Sequence, residues 1–312
     1  MTVSAREVVV LGTASQAPTR YRNHNGYLLR WDGVDVLFDP GEGTQRQMLL
    51  AGVAVSHLRA ICITHFHGDH CLGLPGILQR LALDGVTHPV HVLFPASGQA
   101  YYERLRRASV FRDDDLDVRP VPVEADGPAL PLSPSLIISA RRLDHDPETF
   151  GWRVEERPGR TVLPSRLAAL NIAGPEVGEL MRRGTLEIAG RQVSAEEVSV
   201  PRDGQSMAFV MDTGVCDAAG ELASGADLAV CESTFDSRDE ALARRWHHLT
   251  AADAARIART AGVRLLVLSH FSQRYPDVAP LVAEASALFP AVVAAVDLQR
   301  IPLPPRRRDL PG

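Results

Sequence analysis

Three imidazoles and a carboxylate fall within six residues of this chain: His65, His67, Asp69 and His70, in the segment THFHGDH from Thr64 to His70. All are donors suited to a borderline-soft divalent cation such as zinc. The segment follows the apolar run LRAICI, so a loop at a strand end can aim the side chains at one point. Neither solubility nor turn chemistry calls for such a density of ligating groups.

A two-metal centre needs more ligands than one loop supplies. His145 follows LIISARRLD, Asp212 follows MAFVM and His270 follows RLLVLS, all places where a side chain projects from a sheet edge into a cleft. Taken singly, each is an ordinary loop or core-edge residue; a metal loop short of ligands gives them a shared purpose. Four cysteines (Cys62, Cys71, Cys216, Cys231) lie scattered with no C-x-x-C pair, so neither a disulfide framework nor a thiolate zinc site is expected.

The elements that must position these groups are legible as short apolar runs. Val8 to Leu11, Tyr27 to Trp31, Val34 to Phe38, Leu58 to Ile63, Val90 to Phe94, Leu136 to Ser139, Met207 to Met211, Leu228 to Cys231 and Leu265 to Leu268 read as strands. Leu74, Ile77, Leu78 and Leu81 repeat at helical spacing, with Pro75 tolerable in the first turn. A second helix is expected from Thr250, with Asp253 completing a capping box and Gly262 as the stop. Strands and hairpins come first and helix–strand alternation later, which predicts an α/β fold of sheets packed together inside outer helices.

Length bounds the answer less sharply. The 312 residues, 45% of them hydrophobic, suffice for one large layered core. The start of the chain lacks the charged and apolar regions of a leader, and no run reaches a membrane span, so a soluble cytoplasmic protein is expected. A net charge of −5 argues against a generally basic surface without excluding a local patch for a polyanion. Between Arg153 and Gln205 the rhythm breaks into a Gly/Pro-punctuated insertion with one or two short helices, read as an arm on a catalytic body spanning 1–300. The ending IPLPPRRRDLPG reads as a flexible tail from 301 to 312.

THFHGDH followed by CLGLPG, with FDPGEGTQ (Phe38 to Gln45) upstream, resembles the metallo-β-lactamase superfamily and within it the ribonuclease Z family. The opening LGTASQAPTRYRNHNGYLLR and the closing HFSQRY (His270 to Tyr275) extend the resemblance over nearly the whole chain to about Tyr275. The histidine–aspartate signature belongs to many hydrolases; FDPGEGTQ, HGDHxxGLPG and HxSxRY together are far more specific.

What the resemblance implies is an αββα sandwich of two mixed sheets with an inserted arm, and two Zn2+ per chain. His65, His67 and His145 would hold one ion, Asp69, His70 and His270 the other, and Asp212 would bridge both. Asp69 would also orient or deprotonate the attacking water, with Asp39 supporting a ligand imidazole. In WHHLT either His247 or His248 could protonate the leaving group; the family's histidine stands two residues before the threonine matching Thr250, which selects His248, paired with Glu232. Cys231 and Ser233 depart from the pattern around that glutamate. Ser272, Arg274 and Tyr275 would meet a substrate phosphate. The implied partner is precursor tRNA, cut at its 3′ end to leave a 3′-hydroxyl, and the implied assembly is a homodimer.

The arm departs from the family: it lacks one proline of the usual pair, and its eight arginines are matched by eight acidic residues. A neutral arm is a weaker phosphate clamp. That supports a second reading, a hydrolase of a small phosphodiester, sulfate ester or lactone on the same metal core. A metal-storage or RNA-binding module leaves seven ligand-type residues beside an acid–base pair unexplained.

Overall fold

The computed structural model describes residues 6–306, which form two compact units: one of residues up to 155 together with 206–305, the other Glu156–Gln205 with residue 306. The larger unit contains two seven-stranded sheets. Along the first, the strands run in the order Arg300–Pro302, Arg6–Gly12, Gly26–Trp31, Val34–Phe38, Leu58–Cys62, Val90–Pro95 and Val118–Val123. Along the second the order is Val292–Ala294, Leu265–Ser269, Leu228–Glu232, Ser206–Val210, Phe150–Glu156, Leu136–Arg142 and Gly127–Ser133. Parallel and antiparallel pairs occur in both.

Strand periodicity explains the layering. Val8 and Val10 join a central core with Phe38, Phe209 and Val230, while Val9 and Leu11 of the same strand join an outer core with Ile61, Leu74, Ile77 and Leu78. In the second sheet Met207 and Phe209 face the central core, and Ala208 and Val210 face the helix residues Ala251, Ala254, Ala255 and Ala258. A strand whose two faces are both buried must be apolar without alternation, as the sequence shows. The result is the expected α/β sandwich, two mixed sheets back to back with helices on both outer faces.

Helix boundaries follow the capping chemistry. Thr250 caps Ala251–Thr260 with a full capping box to Asp253, and Gly262 at φ +68° follows the last turn. Strands rich in proline escaped the sequence reading: Val118–Val123 and Gly127–Ser133 carry two prolines each and form opposite-sheet edges, where a missing N–H is tolerated. The same physics corrects the tail. Arg300–Pro302 pairs antiparallel with Arg6–Gly12, and Ile301 and Leu303 are buried, so the chain is anchored through its first prolines; 307–312 lie outside the described residues.

The insertion begins later than Arg153, because Phe150–Glu156 continues as a strand that buries Trp152 and Val154. The smaller unit has helices Pro164–Ala169 and Pro175–Arg183, two two-stranded ribbons, and a core of Ile172, Leu180, Val193, Ala195 and Val198.

Two motif glycines are close-approach sites. A Cβ on Gly73 would fall 2.1 Å from the Gly41 carbonyl oxygen, and one on Gly41 would fall 2.3 Å from that of Asp69. The loop after Phe38 and the histidine loop therefore dovetail backbone to backbone, with the Gly73 N–H donating to Pro40 O at 2.8 Å. Gly73→Ala should cost about 2–3 kcal/mol in urea unfolding, because backbone must move. Gly220→Ala, in the helix Asp217–Ala223 with open space around it, should gain about 0.5–1 kcal/mol instead. Equal effects would show that the dovetail is not tight.

Candidate active site

Parallel strands of both sheets end at the same place, and the polar residues sit just beyond those ends. Asp39 follows Val34–Phe38, Thr64 and His65 follow Leu58–Cys62, Asp212 follows Ser206–Val210, and His270 follows Leu265–Ser269. The carboxyl ends of parallel strands are where ligands bind in α/β sheets. Asp39, Asp212 and His270 all have left-handed backbone, with φ of 44°, 46° and 58°. This conformation is costly for residues with a Cβ and concentrates at functional sites, where it turns the side chain out of the strand direction.

All seven proposed ligands are brought together. His65, His67, His145 and Asp212 form one group whose ligating atoms lie within 4.8 Å of one another, and Asp69, His70 and His270 form a second. Asp212 Oδ2 lies 3.7 Å from His65 Nε2, 3.8 Å from His145 Nε2 and 3.4 Å from His70 Nε2, while Oδ1 lies 3.2 Å from His270 Nε2. One carboxylate thus touches both groups. Asp69 Oδ2 is 3.3 Å from His70 Nε2 and 3.5 Å from His270 Nε2, and accepts the Gln16 N–H at 2.8 Å.

The far nitrogens of three of the candidate ligand rings are tethered. His70 Nδ1 is 2.8 Å from Asp39 Oδ2, and Asp39 in turn accepts from the Thr64 N–H and hydroxyl. His145 Nδ1 is 3.0 Å from the His247 carbonyl, and His270 Nδ1 is 2.8 Å from Thr234 Oγ. Each such contact fixes a ring tautomer and turns Nε2 into the cleft. His247 serves the site through its backbone: its side chain reaches Asp144 at 3.1 Å while its carbonyl holds His145. Sequence reasoning missed Thr64, Thr234 and Asn25, whose amide lies 3.3 Å from His70 Nε2; the only signal was their place inside motifs.

Electrostatics separates the rings. Burial pushes the imidazoles of His65, His67 and His145 below their ordinary range, favouring the neutral, ligating form. Burial also opposes a charge on His70, but Asp212, Asp69 and Asp39 override it and hold that ring well above its usual value. Asp212 and Asp69 are held low, against burial, by His270 and His70.

Glu232 is fully buried at the end of its strand and faces His248, with Nδ1 at 3.0 and 3.1 Å from its two oxygens. Glu232 also accepts the Thr213 N–H at 2.6 Å and the Thr234 hydroxyl at 2.5 Å. Burial works against charge on His248, but Glu232 raises it to about 9. The His248 ligating atom lies within 4.8 Å of those of Asp212 and His270, so the pair opens onto the same cleft.

The HFSQRY residues divide. Tyr275 is buried, donates its hydroxyl to Asp239 and accepts the Asp236 N–H at 3.2 Å; those bonds commit it as a brace and leave no free hydroxyl for a phosphate. Arg274 is half-exposed, 3.7 Å from Asp239 and over the Phe235 ring, which itself lies 6.0 Å from the His248 ring. Ser272 Oγ lies 3.5 Å from the Arg274 amide.

Comparison with known proteins places this geometry. The family model of the Metallo-beta-lactamase superfamily matches residues 19–159, and that of the Beta-lactamase superfamily domain matches 191–271. The ribonuclease Z of Salinispora arenicola is 56% identical over 306 residues, covering 98% of both chains, and that of Nocardia farcinica is 56% identical over 98% of this chain and all of its own. The chain belongs to the ribonuclease Z family. The fold is shared with human tRNase Z, short form, at a TM-score of 0.68 and 24% identity over 96% of this chain and 99% of that one.

The fold family implies a divalent metal, and the donor set fits one. His145 Nε2, Asp212 Oδ1 and His270 Nε2 are buried without a hydrogen-bond partner, although all face the cleft. Buried polar atoms left so cost about 1–3 kcal/mol each unless something takes their lone pairs. Stripping metal with a chelator should therefore lower Tm by several degrees, restored by readdition. Asp212→Ala, which removes the group shared by both clusters, should erase that difference; a chelator-sensitive Tm in that variant would mean the clusters hold metal independently.

Proposed function

We propose that this chain is a zinc-dependent endoribonuclease that hydrolyses a phosphodiester at the 3′ end of precursor tRNA and leaves a 3′-hydroxyl on the tRNA. The observation that carries the reading is the pair of His248 and the buried Glu232 opening onto a cleft of seven candidate ligands. His65, His67 and His145 would hold one zinc, Asp69, His70 and His270 the other, and Asp212 would be shared. When bound, two such ions supply Lewis acidity that activates water near neutral pH and offsets charge on the phosphate oxygens.

The chain's own residues do the rest. Asp69, steadied by the Gln16 amide, accepts a proton from the attacking water. Glu232 fixes His248 through Nδ1 and leaves Nε2 to deliver a proton to the departing 3′-oxygen. Arg274, the one cation in its motif with a half-exposed guanidinium, forks onto a phosphate, while Ser272 and Tyr275 keep it in place. Cytoplasmic location and a homodimer complete the reading; light scattering on the purified protein tests the dimer. Among the described residues no helix is long and apolar enough to cross a membrane.

His248→Ala should keep both metals and slow turnover by about a hundredfold or more, the scale of general acid–base groups. His247→Ala retains the carbonyl that holds His145 and should keep most activity; the reverse ranking would move the acid to His247.

The arm tests the substrate. Glu156 donates its N–H to Gln205 O at 2.9 Å, so a short turn replacing 157–204 closes the strands without touching a proposed ligand. Within the arm, Arg183 pairs with Glu179 and Arg191 with Glu197, whereas Arg166 and Arg182 are exposed without a carboxylate partner among the described residues. Loss of precursor cleavage with hydrolysis of bis(p-nitrophenyl) phosphate intact is the expected outcome. Loss of both in a folded, zinc-loaded protein would favour the small-molecule hydrolase.

A further inference from the structure

We infer that Phe66 and Tyr101 form a stacking platform for an unpaired nucleobase next to the phosphodiester held in the cleft. Phe66 stands between His65 and His67 in the histidine loop, and its ring packs on the margin of the outer core beside that loop. The ring is half-buried and seated on Gly98, where a Cβ would fall 2.1 Å from Phe66 Cε2, and it meets Phe94 edge-on at 5.8 Å. Tyr101 stacks on it at 5.8 Å with an interplanar angle of 26°, yet is 53% exposed. An aromatic column thus runs from core to solvent beside the ligands. Its inner end is anchored and its outer end is uncovered.

The cations around the column fit a nucleotide. The Arg104 guanidinium lies 5.3 Å from the Tyr101 ring centroid, and Arg104 and Arg107 are exposed with no carboxylate partner among the described residues. Arg106, by contrast, is tied to Asp113. Aromatic faces that take bases, with free guanidiniums that take the neighbouring phosphates, are the working parts of single-strand recognition. Tyr102, one residue on, is buried and stacked on Phe94 at 4.6 Å, so the helix Gln99–Arg106 turns one tyrosine to the core and the other outward. Packing needs are met by the first; the second has ring contacts with Phe66 and Arg104 among the described residues. The occupant is an unpaired base rather than a protein segment because the column stands against the phosphate-handling loop.

The inference rests on the reading of the cleft as an RNA-cleaving site. It is tested by a double-mutant cycle between protein and substrate, using the zinc-loaded full chain and a 3′-extended precursor. Tyr101→Ala should melt with the wild type and raise KM for the precursor on the order of ten- to a hundredfold, while Tyr101→Phe keeps the wild-type value. An abasic nucleotide introduced one position at a time on either side of the cut should weaken the wild type to the same degree at one position, and should weaken Tyr101→Ala no further there. If Tyr101→Ala binds as the wild type does, or if the abasic and Tyr101 losses multiply at every position, the platform is wrong while RNA cleavage stands. A wild-type protein that hydrolyses bis(p-nitrophenyl) phosphate but leaves the precursor intact overturns the RNA reading and the platform together.

Discussion

Asp212 is the constraint on which the site depends: one carboxylate, 3% exposed, that must serve two clusters of imidazoles at once. A buried carboxylate without compensation is among the costliest features a fold can carry. His270 and His70 hold it in the charged form, yet its Oδ1 and the Nε2 atoms of His145 and His270 are buried without a hydrogen-bond partner. The protein alone leaves this arrangement under-satisfied. A divalent cation held by these residues would resolve it and would tie the stability of the strand ends to the occupancy of the cleft.

The two sheets exist, in functional terms, to bring two sets of strand ends into register. The first sheet delivers Asp39 and the histidine loop, the second delivers Asp212, Glu232 and His270, and the central core of Phe38, Tyr27, Phe209 and Trp152 fixes the spacing between them. Tyr27 spans that boundary directly, donating to Asn25 at 2.8 Å with Ser269 Oγ 2.6 Å away. Burial raises the Tyr27 hydroxyl far above its ordinary range, so it remains a neutral donor throughout the working pH range and can act as a fixed strut.

How much of this was legible in the sequence depended on whether a feature is local. The nine apolar runs and the Thr250–Asp253 cap are local and appear as strands and a helix where they were read. The candidate ligands stood out as a dense histidine–aspartate loop and as three residues, His145, Asp212 and His270, that each follow an apolar run; His248 was singled out only by the family's spacing to Thr250. The failures share a cause in tertiary context. The proline-rich edges at 118–123 and 127–133 went unnamed and 301–312 was taken as a tail, because the tolerance of an edge for a missing N–H is a property of the sheet, not of the segment. Thr64, Thr234 and the His247 carbonyl act through partners 25, 36 and 102 residues away, and nothing in a one-dimensional pattern marks a carbonyl as a tether. Tyr275 was over-read for the converse reason: its motif predicted a phosphate contact, and the structure spends its hydroxyl on Asp239.

The left-handed residues show why the site cannot be relocated along these strands. Asp39, Asp212 and His270 each break the local rule that a non-glycine residue avoids positive φ, and each does so one or two positions beyond a strand whose preceding residues are buried on both faces. A residue that stayed in the strand conformation would point into one of the two apolar cores; the reversal of hand is what lets a charged side chain follow a fully buried strand without entering either. The glycines at 41 and 73 answer the same need from the other side, since the histidine loop can approach the Asp39 turn only where no Cβ intervenes. Strain at three strand ends and bare backbone at two turns are thus one device. It is held by the packing of the sheets behind it, and it gathers the unpartnered atoms of Asp212, His145 and His270 at the cleft.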